Sequence, residues 1–198
     1  EEHMGLVTKE VYDRISLVDH VCTDEENLAY VGTTTRGTPV WLDKRALACN
    51  KIILTGGVVY HFMAGFGGGR KSILPGISGR DTIMKNHNLA LNPGLGNGSY
   101  PQVRSANMNA TNPVHADMME ACSMVNPTFL VNVVVNDDQQ IIAACEAMRD
   151  SEMENSFICC AVNKSIQEQE AEIDEIITRF TGKVYLGVRW VDVREEMK

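Results

Sequence analysis

The sequence predicts an α/β fold, a layered Rossmann-like domain with a mainly parallel sheet and edge hairpins. Two β-branched segments, 51–59 and Phe129–Val135, are apolar enough to lie inside a sheet. Helical patterns with recognisable start and stop residues alternate with them, as in layered α/β domains. The 51–59 segment also runs into a glycine cluster, the place where such domains bring backbone amides to an anion.

In chain order, 8–15 reads as a short helix, and Asp24-Glu25-Glu26 precedes a strand at Leu28–Thr33. A turn, Thr34-Thr35-Arg36-Gly37-Thr38-Pro39, leads to a second strand at 40–42, which completes a hairpin. Residues 43–50 suit a helix and 51–59 a strand. Beyond the glycine loop, 79–91 reads as a helix with Asp81 favourably placed near its positive end. The 91–103 stretch is a Gly/Pro/Asn-rich loop.

Pro113–Val125 carries Pro at its first helical position and Asp117 and Glu120 in its early turns. Phe129–Val135 is the clearest strand, and Asp137-Asp138-Gln139-Gln140 turns it into 141–145 as a second hairpin. The 167–180 stretch is an amphipathic helix with Ile173, Ile176, Ile177 and Phe180 on one stripe; Gly182 ends it and 183–193 returns as a strand. This divides the chain into an α/β domain over 1–145, partial at its N-terminal side, and a helix–strand tail over 146–198 expected to pack on it.

Of the 198 residues, 44% are hydrophobic, 22% charged and 6% aromatic, which is ordinary globular composition. A net charge of -8 argues against a general nucleic-acid or anionic-membrane role, because phosphate binding needs a basic footprint. A small anionic substrate stays open, since a local Arg/Lys pocket can oppose the global sign. The six cysteines show no CxxC spacing, and Cys159 and Cys160 are adjacent, so reduced thiols in a cytoplasmic protein are expected. No signal-peptide pattern is visible, and no run of about 18 apolar residues is present to span a bilayer.

The loop itself reads Gly65-Phe-Gly67-Gly68-Gly69-Arg70-Lys71-Ser72, followed by Ile-Leu-Pro75-Gly76. Gly65, Lys71 and Ser72 fit a P-loop, but Arg70 occupies its second glycine position. Pro75-Gly76 also falls where a P-loop helix must begin. The dinucleotide fingerprint GxGxxG fails at its third position, at Arg70 in one register and at Ser72 in the other. What the residues alone support is an anion cradle with the Arg70-Lys71 pair beside it.

Taken with its histidines, the run His61-Phe-Met-Ala-Gly-Phe-Gly-Gly-Gly-Arg-Lys71-Ser-Ile-Leu-Pro-Gly-Ile-Ser78, then Asp81-Thr-Ile-Met-Lys-Asn-His87, closely resembles the nickel-pincer lactate racemase family. The likeness continues upstream through Gly32-Thr-Thr-Thr-Arg36-Gly-Thr-Pro39. Downstream it takes in Asn112-Pro-Val-His115-Ala-Asp117-Met and Phe129-Leu-Val-Asn-Val-Val-Val-Asn136, so it covers roughly Asp19 to Ala144.

The resemblance implies a cofactor, nickel pyridinium-3,5-bisthiocarboxylic acid mononucleotide, joined covalently to Lys71 through a thioamide. It implies His87 as the protein ligand to nickel and His61 as a proton-transfer residue. Gly67, Gly68 and Gly69 would permit close approach of the cofactor, whose phosphate would sit on the loop amides. A neutral imidazole is an ordinary donor to such a metal. The implied reaction is racemisation or epimerisation of lactate or a related small 2-hydroxy acid by hydride transfer, which needs acid/base groups on both faces of the substrate.

The family's second such group lies in an upstream Ala-Thr-Gly-x-His-Arg motif that this sequence does not contain. The chain is therefore expected to be the cofactor-anchoring half of such an enzyme and inactive by itself. A homo-oligomer is compatible with this reading. The alternatives are a non-catalytic nucleotide- or phosphate-binding domain using 65–71, or an assembly module acting through 167–180. His3 and His20 read as structural, His115 as a capping or packing residue, and the ten methionines as core filler. Arg36 is either a turn residue or a ligand contact.

Overall fold

In the computed structural model the residues described are 9–93, 98–103, 110–135, 141–148, 184–186 and 189–191. The first helix, α1, is a single turn at Lys9–Tyr12, shorter than 8–15, with Lys9, Glu10 and Tyr12 exposed. The hairpin follows the sequence closely: β1 (Leu28–Thr33) pairs antiparallel with β2 (Pro39–Asp43), with a register shift between Tyr30 and Gly32. Its turn is closed by Thr34 N–H to the Thr38 carbonyl at 3.0 Å, with Gly37 at φ 78. Val40 and Leu42 face the core, while Tyr30 and Trp41 meet on the outer face with ring centroids 5.4 Å apart.

Asp43 caps α2 (Lys44–Leu47) by accepting from Arg45 N at 2.9 Å, and its carboxylate also engages the Arg45 guanidinium. His20 sits against the same carboxylate, Nδ1 to Oδ2 at 3.0 Å, and its Nε2 donates to the Ser78 carbonyl at 2.9 Å. It is a structural tie, as expected.

The strand expected over 51–59 is shorter, β3 at Ile53–Gly57, and it is not buried on both faces. Leu54 is buried while Ile53 and Thr55 are exposed, since β3 lies at the edge of a three-stranded sheet ordered β3-β6-β7. After β3 the chain forms a small hairpin of β4 (Tyr60–His61) and β5 (Gly65–Phe66), then a 3-10 turn at Gly69–Ser72. Next come α3 (Arg80–Asn88) and α4 (Pro113–Val125). Asn112 caps α4, its Oδ1 accepting from Val114 N and His115 N, and Asn126 ends it in the left-handed region at φ 59. Strand β6 (Phe129–Val135) pairs parallel with β3, and β7 (Ile141–Met148) pairs antiparallel with β6.

The chain is thus a mixed α/β structure with one small parallel pair. Parallel pairing among the described strands is confined to β3–β6, so the expectation of a mainly parallel sheet does not hold there. The reason is connection length. A parallel pair needs a long crossover, here carrying α3 and α4, whereas residues 34–38, 62–64 and 136–140 are short links that return the chain antiparallel. The strand expected over 183–193 is likewise two, β8 (Val184–Leu186) and β9 (Arg189–Val191), paired antiparallel. The helix expected over 167–180 lies outside the described residues.

The core lies where α4 meets the hairpin and the loop. Val114, Met118, Ala121 and Cys122 recur at helical spacing and pack with Val40, Leu42, Ile73, Leu74 and Leu130. Cys22, Cys49 and Cys122 form no disulfide. No described helix is long and apolar enough to cross a membrane.

Candidate active site

The glycine loop is folded onto the ends of β3 and β6. Asn132, fully buried on β6, accepts a hydrogen bond from Gly69 N at 3.3 Å. A Cβ on Gly68 would come within 2.8 Å of Asn132 Oδ1, and its φ of 76 also favours glycine. On Gly67, a Cβ would lie 2.9 Å from the Gly57 carbonyl oxygen. The close approach these glycines allow is therefore to the protein's own strands. Gly67 N, Gly69 N and Lys71 N donate to Val59 O, Asn132 Oδ1 and Gly68 O, so these three loop amides are turned inward.

Arg70 departs from the sequence reading. It was grouped with Lys71 as a source of positive charge for a ligand, yet its side chain is fully buried. Its Nη2 donates to the carbonyls of Ala64 at 2.6 Å and Phe66 at 3.0 Å. Lys71 follows in the 3-10 turn, which is fastened to β3 by Ser72 Oγ donating to Thr55 O at 3.0 Å. Burial, then the Arg70 charge, push the Lys71 amine down to about 8 from 10.5.

His61 ends β4. Its Nδ1 accepts from the amides of Met63 at 3.3 Å and Ala64 at 3.2 Å, so the neutral ring carries its proton on Nε2. The ring stacks on Phe62 at 4.9 Å. Burial first, then the charges of Lys71, His87 and Arg70, lower His61 to about 4. The turn it belongs to is also tied to α4, where Asn112 Nδ2 donates to Met63 O at 2.9 Å.

His87 lies on α3 and has the opposite tautomer. Its Nδ1–H donates to the Ile83 carbonyl at 2.9 Å, which leaves a lone pair on Nε2, the arrangement expected of a metal-binding imidazole. Burial lowers its pKa, the Ile83 bond opposes this, and the Lys71 charge adds to the lowering. The residue before it, Asn86, is pinned to Asp117 at 2.9 Å and to Val114 O at 3.1 Å.

The Lys71 charge thus acts on both His61 and His87, and the charge of His87 on His61, so the three share one electrostatic neighbourhood. An open cavity of about 590 Å³ lies elsewhere, lined by Arg36, Asn88, Tyr100, Gln102 and Thr111 among others, and by none of the three. His115 is buried and lowered to about 3 by burial and then by the Arg70 charge; the helix cap is Asn112, with only the backbone of His115 taking part. His3 lies outside the described residues.

Sequence reasoning missed three residues, Arg70, Asn112 and Asn132. A polar residue in the middle of the apolar strand Phe129–Val135 was the available signal for Asn132. Asn112, which the sequence placed only within the family-like run, both caps α4 and ties it to the His61 turn.

A profile of the lactate racemase N-terminal domain matches residues 1–98. Lactate racemase of Lactiplantibacillus plantarum is 33% identical over 147 residues, which are 73% of this chain and 32% of that protein. The chain belongs to the lactate racemase family. A second lactate racemase, from Thermoanaerobacterium thermosaccharolyticum, is 32% identical over 138 residues, or 69% of this chain and 30% of that protein.

The solved structure of the lactate racemase apoprotein from Thermoanaerobacterium thermosaccharolyticum superposes with a TM-score of 0.69 at 27% identity, covering 88% of this chain and 37% of that one. A protein from Thermotoga maritima shares the fold, with a TM-score of 0.56 at 22% identity over 74% of this chain and 37% of that one. The chain spans about a third of the lactate racemases it matches.

The residues fit the group that the resemblance implies, one at a time. Among the described residues no three His, Cys, Asp or Glu side chains converge on a point. His87 Nε2 offers a donor lone pair and Lys71 a half-buried amine of lowered basicity, the two groups the implied cofactor would need.

Proposed function

We propose that this chain is the cofactor-anchoring portion of a racemase or epimerase acting on lactate or a related 2-hydroxy acid. Lys71 is the attachment point of the nickel-pincer nucleotide, His87 Nε2 the protein ligand to its metal, and His61 the proton-transfer residue. When bound, the cofactor supplies hydride-accepting chemistry. A single observation carries the reading: an amine lowered to about 8 acts electrostatically on both a neutral imidazole with its Nε2 lone pair available and a second imidazole lowered to about 4. A neutral amine is the form that can be acylated, and a neutral imidazole the form that can ligate a metal.

His61 is neutral at physiological pH, as a base must be. In the arrangement described, however, its proton is on Nε2 while Nδ1 receives two amide N–H groups. To accept a substrate's hydroxyl proton, the ring must first give up those two bonds. Racemisation needs an acid/base group on each face of the substrate, and His61 accounts for one of them in this reading.

The competing phosphate-cradle reading is disfavoured by the inward direction of the Gly67, Gly69 and Lys71 amides. The test is intact-mass spectrometry with peptide mapping and metal analysis on protein from cells that make the cofactor. A Lys71 adduct together with nickel is expected. An unmodified Lys71 in such cells, with nucleotide binding retained, would overturn the reading.

A further inference from the structure

Arg70 stands out because it is charged, adjacent to the anchoring lysine, and completely buried. Burying a guanidinium is costly unless its hydrogens are satisfied, so what it bonds to indicates what it is for. Nη2 is shared between the carbonyls of Ala64 and Phe66, which belong to the turn and strand directly after His61. The same turn supplies the amides of Met63 and Ala64 to His61 Nδ1. Ala64 is gripped at both ends of its backbone, its carbonyl by Arg70 and its N–H by His61. Asn112 holds the Met63 carbonyl from the other side.

We propose that Arg70 is a positioning residue for His61: by holding the Ala64 and Phe66 carbonyls it keeps the Met63 and Ala64 amides aimed at Nδ1, and so confines the ring proton to Nε2. This extends the proposed function, and it rests on that reading only for the consequence that Arg70 sets which nitrogen of His61 faces the chemistry. The structural claim concerns the chain without cofactor or substrate.

Charge alone does not account for the arrangement. A lysine at position 70 would bring the same charge on a shorter-reaching, freely rotating ammonium, not the rigid planar Nη2 group whose two hydrogens meet the two carbonyls. The conservative substitution therefore separates the two contributions. Arg70→Lys retains the electrostatic effect on the ring, and Arg70→Met retains neither the effect nor the planar donor.

The experiment is nitrogen-15 NMR of the chain alone above pH 6.5, reading the His61 tautomer from its ring nitrogens and the hydrogen exchange of the Met63 and Ala64 amides. The wild type is expected to show one Nε2–H tautomer and two protected amides. In R70M the Nδ1–H form should become visible and exchange at Met63 and Ala64 should speed up about tenfold, the loss expected for a hydrogen bond to a charged group. Amides of Ile53–Gly57 should be unaffected. R70K should resemble R70M in tautomer.

A folded R70M chain with an unchanged His61 tautomer overturns the proposal, and so does R70K behaving as wild type. Should neither variant fold, the wild type decides through the coupling across the hydrogen bond from Arg70 Nη2 to the Ala64 carbonyl carbon. Its presence supports the clamp, and a freely rotating guanidinium overturns it. None of these readings depends on Lys71 being modified, so a failed proposal and a failed racemase assignment are distinguishable.

Discussion

Asp117 on α4 accepts a hydrogen bond from Asn86 on α3 at 2.9 Å, with both side chains fully buried, and Asn86 immediately precedes His87. The same carboxylate accepts from Thr34 Oγ1 at 2.5 Å. One buried acid thus fixes the hairpin turn, the helix that carries the candidate metal ligand, and the longest described helix. Asp117→Ala leaves two buried donors unpaired, at about 1–3 kcal/mol each. Urea denaturation should show that loss, and a change below about 0.5 kcal/mol, the level of an ordinary surface substitution, would refute the assignment.

The loop glycines differ in what they tolerate. Gly37 and Gly68 have nearly the same φ, 78 and 76, but a Cβ on Gly37 meets nothing within 4 Å while one on Gly68 runs into Asn132. Gly37→Ala should cost only the backbone term of about 1–2 kcal/mol. Gly68→Ala should cost more and also displace Gly69–Ser72, lowering the yield of Lys71 modification. Equal stabilities of the two variants would contradict the packing described.

Lys71 should be reactive at a pH where an ordinary lysine is protonated. With its pKa at about 8 rather than 10.5, half of its amine is neutral near pH 8. Competitive acylation with a trace reagent, read peptide by peptide, should give Lys71 a midpoint there. A midpoint near 10.5 would remove the basis for its priming.

Acid should weaken the fold through its histidines. His61 and His115 are lowered from 6.5 to about 4 and about 3 in the folded chain, so over that window the unfolded chain binds more protons than the native one. Stability must then rise with pH across the window and fall as pH drops from 6.5 toward 3. Asp43, lowered from 3.8 chiefly by its bond to Arg45, acts in the same direction from about that value downward and so overlaps only the acid end of the window. Denaturation midpoints followed from pH 7 to 3.5 should decline, and His115→Gln should flatten the slope. An unchanged slope in that variant would mean that His115 is not held neutral by burial.

Local signals were enough for much of this architecture. Leu28–Thr33, Pro113–Val125 and Phe129–Val135 occur with the bounds their patterns predict, because a polar-flanked β-branched run and a Pro start under an Asn cap each act within a few residues. The run from His61 to His87, with its flanking segments, resembled the lactate racemase family closely enough to indicate it. Other features depended on partners far away in sequence. Asn132 meets Gly69 across 63 positions, and Asn86 meets Asp117 across 31. No local pattern records such pairs.

The sequence by itself therefore determined several of the elements and the loop, and through its family resemblance the three residues around which chemistry is proposed. Only the tertiary structure decided that Arg70 turns inward to hold backbone while the Lys71 amine is left half-buried with its basicity lowered, and that His61 and His87 carry their protons on opposite nitrogens. Burial and the supply of hydrogen-bond partners settle those choices, and both come into being only when distant segments pack together.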